Sequence, residues 1–165
     1  SSINYPYLGI LRDGVLLRYI RQDCGAEPVF YDTLNTRVAI LKLLPGMDRG
    51  AADFLLERND GLIIESFGVG GLPESGGFYH CVDEALAAGK TVVITTQVEN
   101  EGSDGGVYHV GHALKNKLGV LEAYDMTTEA VAAKLMWILG QTRERREIER
   151  LFYTTVAKDI LFTAE

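Results

Sequence analysis

The chain has 165 residues, enough for one compact domain with a hydrophobic core, and its 47% apolar and 24% charged residues are typical of a folded globular protein. A formal net charge of -7 argues against nucleic acid or an anionic membrane as the main partner, because both would require a basic surface. The two cysteines, Cys24 and Cys81, suit a reducing compartment, and no apolar run is long enough to span a membrane, so we expect a cytoplasmic protein without membrane contact.

The first predicted element is a β-hairpin. Residues 7–12 and 15–20 lie on either side of Asp13-Gly14, a dipeptide that favours a two-residue turn. A lone hairpin is marginally stable in water and needs a larger sheet. We therefore interpret residues 1–36 as a hairpin and linker left over from the end of a preceding domain, and residues 37–165 as a separate domain. The alternative is that the hairpin folds back on that domain as an extra ribbon.

Four short apolar runs predict buried strands at residues 38–44, 62–66, 91–95 and 119–123. Each run is mostly unbroken, a pattern typical of parallel strands that are covered on both faces. Helical periodicity occurs at 48–58 and 78–88, more weakly at 108–117, after a cap at Asp125 or Thr127, and finally over 143–160. This alternation predicts an α/β fold with an open, parallel, four-stranded sheet and helices on both faces, Rossmann-like or flavodoxin-like, preceded by the hairpin.

The candidate functional side is the edge where the predicted strands end, because open α/β sheets bind ligands outside the carboxyl ends of their strands. Two loops there are rich in glycine or in acidic residues. They supply the candidates for a substrate pocket or an interface: Gly68, Gly70, Gly71, Pro73, Gln97, Glu99 and Asp104. A polar connection as long as 96–106 indicates either function or disorder, and composition does not separate the two.

Two other kinds of site have weak support. The glycine loop lacks the third glycine of a dinucleotide fingerprint, since Pro73 stands there. His80 and Cys81 would diverge on a helix, while His109 and His112 are two ligands, fewer than a zinc site needs. We therefore expect no nucleotide site and no metal site, and we interpret Cys81 as a buried thiol rather than a nucleophile.

Five strings in register suggest a family. They are Leu44-Pro45-Gly46, Gly68-Val69-Gly70, Thr96-Gln97, Tyr108 followed by Gly111, and Asp125-Met126-Thr127 with Glu129, Ala130, Lys134 and Leu135. Together they resemble the C-terminal domain of the asparaginase and glutaminase family, which includes the archaeal glutamyl-tRNA amidotransferase D subunit, and most of all its cytoplasmic, type I branch. Residues 1–20 are also similar to the last segment of the family's N-terminal domain.

The resemblance implies a two-domain amidohydrolase that converts L-asparagine to L-aspartate and ammonia with a threonine nucleophile and no cofactor. The family's Thr-Gly-Gly-Thr motif belongs to the N-terminal domain and does not occur in this sequence, so no catalytic residue is assigned and the chain alone should be inactive. The domain would complete the substrate pocket and the interface of a homodimer or homotetramer. Some type I members bind a regulatory asparagine through an Asn and a Cys, but Gly71 and Val98 occupy those positions here.

Two further interpretations stay open at this point. One is a stand-alone α/β module that binds a small amino acid or a nucleotide at its glycine loops, and the other is a purely structural dimerisation domain. The sequence upstream of Ser1 would discriminate between them and an asparaginase.

Overall fold

The computed structural model describes residues 7–20, 27–68, 71–73, 75–98, 103 and 119–160. The chain divides into two compact units, residues 1–32 and 33–165. In the first unit, β1 (Gly9–Arg12) and β2 (Val15–Arg18) form the predicted antiparallel hairpin. Both residues of its turn, Asp13 and Gly14, have positive φ, as a tight two-residue turn requires.

The second unit contains the predicted parallel sheet. Its strands β3 (Val38–Lys42), β4 (Gly61–Ser66), β5 (Thr91–Thr96) and β6 (Leu121–Glu122) are hydrogen-bonded to one another in chain order. β3 ends two residues before the predicted boundary, and β6 is shorter than predicted because it pairs with β5 only through Leu121 and Glu122. The predicted fold class is confirmed.

Helices cover both faces of the sheet. Consecutive strand residues point to opposite faces, so unbroken apolar strands must be covered on each side. Because the strands lie side by side in chain order, the crossover helices α1 (Gly50–Arg58) and α2 (Phe78–Ala87) share one face, where the buried strand residues are Leu41, Leu62, Ile64, Val92 and Ile94. The opposite face is covered by α3 (Thr128–Gln141) and α4 (Arg145–Tyr153), which bury Ile63, Val93 and Leu121.

α3 runs antiparallel to β4. The helix is capped by Thr127 rather than Asp125, because the Thr127 side chain accepts a hydrogen bond from the N–H of Ala130. Near this end, Thr128 donates a hydrogen bond to Glu65 at the end of β4. Toward the other end, Leu135 and Leu139 lie so close to Gly61 at the start of β4 that a Cβ there would come within 3.0 Å of Leu135. Within the described residues, no helix has both the length and the apolar character needed to cross a membrane.

The predicted helix over 143–160 is wrong at both ends. Residue Glu144 is extended, and its carboxylate caps the helix that begins at Arg145. The helix ends before Thr154, which is again extended, and Ala157 and Lys158 have positive φ, so a right-handed helix does not continue there. The helix predicted over 108–117 lies outside the described residues.

The segment that precedes β3 packs against the C-terminal end of α3, and the second compact unit includes this segment from Thr33 onward. The Thr33 hydroxyl donates to the carbonyl of Gly140 at 3.1 Å, and the N–H of Asn35 donates to that of Met136 at 2.9 Å. Gly140 permits this approach, because a Cβ there would lie 2.6 Å from the carbonyl oxygen of Thr33. Asp60 adds a second anchor, since its carboxylate accepts hydrogen bonds from Asn35, Arg37 and Arg143.

Candidate functional site at the carboxyl edge of the sheet

The parallel strands bring the candidate loops to one edge. The register pairs Lys42 with Glu65, and Ser66 with Thr96, so β3, β4 and β5 end close together and their following segments leave the sheet side by side. Of the residues predicted from sequence, Gly68, Gly71, Pro73 and Gln97 are described. Gly70, Glu99 and Asp104 lie outside the described residues.

The glycine turn after β4 is anchored at both ends. Gly68 has a φ of 51°, a left-handed conformation that favours glycine. Phe67 and Gly71 then form an isolated antiparallel bridge, in which the N–H of Gly71 donates to the carbonyl of Phe67 at 3.1 Å. Leu72 is buried, and the half-buried Pro73 follows it. The turn that contains Gly68 and Gly71 therefore folds back on the end of its own strand.

Gln97 ties three strand ends together. Its side-chain Nε2 donates hydrogen bonds to the carbonyl of Leu43 at 2.8 Å and to that of Glu65 at 3.0 Å. Its own main-chain N–H donates to the carbonyl of Ser66 at 3.1 Å. These three bonds satisfy carbonyls at the point where the ladder ends, so both Nε2 hydrogens of Gln97 are used within the chain.

Hydroxyl groups add further links between the strand ends and the segments that follow them. The Thr96 hydroxyl donates to the carbonyl of Gly68 and accepts a hydrogen bond from the N–H of Val98 at 2.9 Å. The buried Ser66 hydroxyl donates to the carbonyl of Thr95 at 2.7 Å. Sequence reasoning singled out Gln97 as a pocket candidate but assigned no role to Thr96 or Ser66. The signal was the polar residue at the end of each apolar strand.

In the acidic loop, residues 99–104, only Ser103 is described. Ser103 is buried, and its N–H donates to the carbonyl of Tyr124 at 2.7 Å. Tyr124 follows β6 and has a φ of 51°. The loop therefore touches the carboxyl end of the last strand at Ser103.

Two carboxylates at this edge were not predicted. Glu65 is about four-fifths buried, accepts a hydrogen bond from Thr128 at 2.7 Å and lies 3.6 Å from the ammonium of Lys42. Glu122 is buried, and its N–H donates to the hydroxyl of Tyr153 at 3.0 Å. Burial raises the pKa of Tyr153 to about 12. A single acidic residue at the end of an apolar run was the available signal.

The described histidine and cysteine do not form a reactive pair. His80 is exposed and lies 3.1 Å from Glu84 on the same helix face. Cys81 is buried, which raises the pKa of its thiol to about 12, and its hydrogen bond to Asp53 acts in the same direction. No group of three metal-ligating side chains occurs among the described residues, and His109 and His112 lie outside them.

A small cavity of about 90 Å³ lies at the opposite edge of the sheet, beside the starts of β5 and β6. Its lining includes the basic residues Lys90, Arg143 and Arg145. The ammonium of Lys90 donates to the carbonyl of Asn59, and Arg143 pairs with Asp60. None of the residues predicted for the site lines this cavity.

Comparison with known proteins identifies a family. Residues 37–152 match the glutaminase/asparaginase C-terminal domain. The chain is 36% identical over 161 residues to L-asparaginase of Thermococcus kodakarensis, a match that covers 97% of this chain and 49% of that protein. It is 33% identical over 161 residues to the glutamyl-tRNA(Gln) amidotransferase D subunit of Methanopyrus kandleri, covering 97% of this chain and 33% of that protein.

A solved structure agrees with this match. The thermostable L-asparaginase from Thermococcus kodakarensis superposes with a TM-score of 0.90 at 34% identity, over 99% of this chain and 50% of that one. The chain thus spans about half the length of these asparaginases and about a third of the amidotransferase relative. The strands, the edge loops and these matches together show that the chain belongs to the glutaminase/asparaginase family and corresponds to its C-terminal domain.

Proposed function

We propose that the chain is the C-terminal domain of an L-asparaginase, an amidohydrolase that converts L-asparagine to L-aspartate and ammonia. The observation that carries the proposal is 36% identity to a protein named L-asparaginase over 97% of the chain. Because the chain spans 49% of that relative, the threonine nucleophile that the family resemblance implies would come from an N-terminal domain. This domain would complete the substrate pocket and the interface of a homodimer or homotetramer, and alone it should be inactive.

The hairpin supports the proposed division into residues 1–36 and 37–165. Leu11 and Leu16 lie opposite each other on one face of the hairpin, and Ile10 and Leu17 lie opposite each other on the other. Leu11 is 73% exposed and Leu16 is 54% exposed. A two-stranded ribbon that is apolar on both faces is typical of a larger sheet covered on both sides. We infer that it belongs to the preceding domain.

The carboxyl edge would serve as one wall of the substrate pocket. The turn from Gly68 to Pro73 and the loop that begins after Gln97 leave the sheet there. A zwitterionic substrate carries an ammonium group that needs an anionic partner, and we infer that Glu99 or Asp104 supplies it. The contact of Ser103 with Tyr124 supports this inference, because it brings the acidic loop to the strand ends.

A cytoplasmic location completes the proposal. The protein has two cysteines, and one of them, Cys81, is a buried free thiol. Such cysteine usage suits a reducing compartment.

The decisive experiment compares the complete protein with this chain. Ammonia release would be measured from L-asparagine and from L-glutamine. We expect the complete protein to hydrolyse L-asparagine and this chain to release no ammonia above background. An inactive complete protein, or activity in this chain alone, would overturn the proposal. A native gene that begins at Ser1 would favour the stand-alone ligand-binding module instead.

An amidotransferase component is the second candidate, since a relative named as the D subunit of glutamyl-tRNA(Gln) amidotransferase matches 97% of the chain at 33% identity. The chain covers 33% of that relative but 49% of the L-asparaginase, so the length of the complete protein separates the two. Hydrolysis of free L-asparagine by the purified complete protein favours the asparaginase. Activity that requires glutamyl-tRNA(Gln) favours the amidotransferase.

Removal of the ammonium-binding carboxylate tests the role of the acidic loop. A charge-assisted hydrogen bond contributes about 1.5–3 kcal/mol, so Glu99→Ala or Asp104→Ala in the complete protein should lower kcat/KM about tenfold to a hundredfold. Part of the loss should appear in KM, because the ammonium is bound in both the ground and the transition state. The control is Glu57→Ala, which removes a carboxylate that is 71% exposed on α1. If both loop variants keep parental kinetics, the loop is only a connector.

A further inference from the structure

We propose that Thr96 is a positioning residue of the proposed asparaginase, an inference that rests on the proposed function. Its hydroxyl holds two loops in a fixed relation: the glycine turn that begins at Gly68 and the acidic loop that begins at Val98. Thr96 does not itself contact substrate in this proposal. It acts by setting where both loops start.

The Thr96 hydroxyl acts both as a hydrogen-bond donor and as an acceptor, as this role requires. A hydroxyl offers one proton and two lone pairs. Here the proton goes to the carbonyl of Gly68, and a lone pair accepts the N–H of Val98 at 2.9 Å. Neither bond belongs to the β4–β5 ladder, which ends where Ser66 pairs with Thr96. One half-buried side chain therefore joins two segments that the sheet no longer holds.

Gln97 supports Thr96 from the next position. Its Nε2 reaches the carbonyls of Leu43 and Glu65, at the ends of β3 and β4, and its main-chain N–H reaches that of Ser66. The Thr96-Gln97 dipeptide thus links all three strand ends on which the candidate loops depend. The hydroxyl proton of Thr96 and both Nε2 hydrogens of Gln97 are used for this purpose, so these donors are better suited to positioning than to substrate binding.

The functional consequence follows from geometry. A displacement of about 1 Å in a substrate-positioning group can lower the rate about a hundredfold. Thr96→Val removes both hydrogen bonds while keeping the shape of the side chain, whereas Thr96→Ser retains the hydroxyl. In the complete protein we expect Thr96→Val to lower kcat/KM for L-asparagine about tenfold to a hundredfold, with KM raised at least about fivefold. Thr96→Ser should stay within about threefold of the parent.

The rise in KM separates positioning from simple destabilisation. A variant that only loses folded protein lowers the apparent kcat and leaves KM unchanged, because the remaining folded molecules are normal. The matched control is Thr33→Val. The Thr33 hydroxyl also links two groups, as it donates to the carbonyl of Gly140 and accepts from the side chain of Gln141, but it does so at the opposite edge of the sheet. The KM of the Thr33→Val variant for L-asparagine should stay within about twofold of the parental value.

Each outcome has one meaning. An active wild-type protein in which Thr96→Val keeps the parental KM, or in which Thr96→Ser is no better than Thr96→Val, overturns the positioning role and leaves the proposed function intact. A complete wild-type protein that hydrolyses no L-asparagine overturns the proposed function and this inference together. A raised KM in Thr96→Val, rescue by Thr96→Ser and a normal Thr33→Val support the inference.

Discussion

Lys134 makes a buried ion pair that should dominate the stability of the C-terminal segment. Its side chain is 3% exposed, and its ammonium lies 2.8 Å from the carboxylate of Asp159 and 2.8 Å from the carbonyl of Thr154. The same ammonium lies 5.9 Å from the ring centre of Phe152. These contacts attach the turn after α4 to the middle of α3. Lys134→Met keeps most of the apolar stem and removes the charge.

The expected loss can be worked from these contacts. Removal of one partner of a buried ion pair costs about 3–5 kcal/mol, because the other charge is left uncompensated. Asp159 is 16% exposed, so water can hydrate part of its carboxylate, and we expect the lower end of that range, about 3 kcal/mol. For a chain of this size, 1 kcal/mol shifts the melting temperature by roughly 2–4 °C. The variant should therefore melt about 6–12 °C below the parent chain.

Thermal and urea unfolding of this chain provide the assay. The single tryptophan, Trp137, lies on α3 close to Lys134 and reports on this part of the core by fluorescence. The control is Arg58→Met, which breaks a 3.2 Å pair with Glu57 in which the two side chains are 61% and 71% exposed, and which should cost less than about 1 kcal/mol. If the two variants lose the same stability, the ion pair of Lys134 contributes no more than a surface pair, and the reasoning fails.

Three further predictions concern stability and reactivity. Burial raises the pKa of the Cys81 thiol to about 12. At pH 8 we therefore expect maleimide to leave this thiol unlabelled in the native chain, as measured by mass spectrometry. Rapid labelling of Cys81 without denaturant would contradict its burial. Burial alone would raise the pKa of Asp60, but hydrogen bonds from Asn35 and Arg143 hold this pKa below its usual value. The Asp60 carboxylate therefore stabilises the fold above about pH 4, and this stabilisation is lost at lower pH. The difference in the free energy of unfolding between the parent and Asp60→Asn should accordingly shrink as the pH falls below about 4. Gly140→Ala gains up to about 1 kcal/mol of helix propensity but places a Cβ 2.6 Å from the carbonyl oxygen of Thr33. We therefore expect urea unfolding to show a net loss of about 1–2 kcal/mol in the free energy of unfolding. A stabilised variant would show that the segment before β3 moves away from the new Cβ at little cost.

The fold could be predicted because its signals are local. Ile63 and Val93 face one layer of helices while Leu62 and Val92 face the other, and such two-sided burial leaves an unbroken apolar run in the sequence. The ends of the last helix could not be predicted in this way. Residues beyond Tyr153 have no strong helix breaker, and the turn there is held by Lys134 from a different helix. Tertiary contacts override propensity at such a boundary.

The candidate site was predictable at the level of loops but not of contacts. Parallel strands bring their carboxyl ends together, so the positions of the glycine turn and of Gln97 at one edge follow from the strand assignment. The partner of Gln97 does not follow, because Leu43 lies far from it in the chain and is reached through a main-chain carbonyl that carries no sequence signal. Glu65 and Glu122 were overlooked for a related reason. An acidic residue that ends an apolar run is typical of the solvent-exposed end of a strand, yet both are largely buried here.

The strand order supports the proposal that a second domain is needed to hold a substrate. Open α/β sheets bind ligands in the crevice that forms where the strand order reverses. Here β3, β4, β5 and β6 follow one another without a reversal, so the described sheet forms no such crevice. The described polar side chains of Glu65, Ser66, Thr96 and Gln97, at the ends of β4 and β5, all make hydrogen bonds to other parts of the chain. In the part of the chain that the structure describes, this edge presents a wall to a ligand without enclosing it, which agrees with a chain that spans about half of the asparaginases it matches.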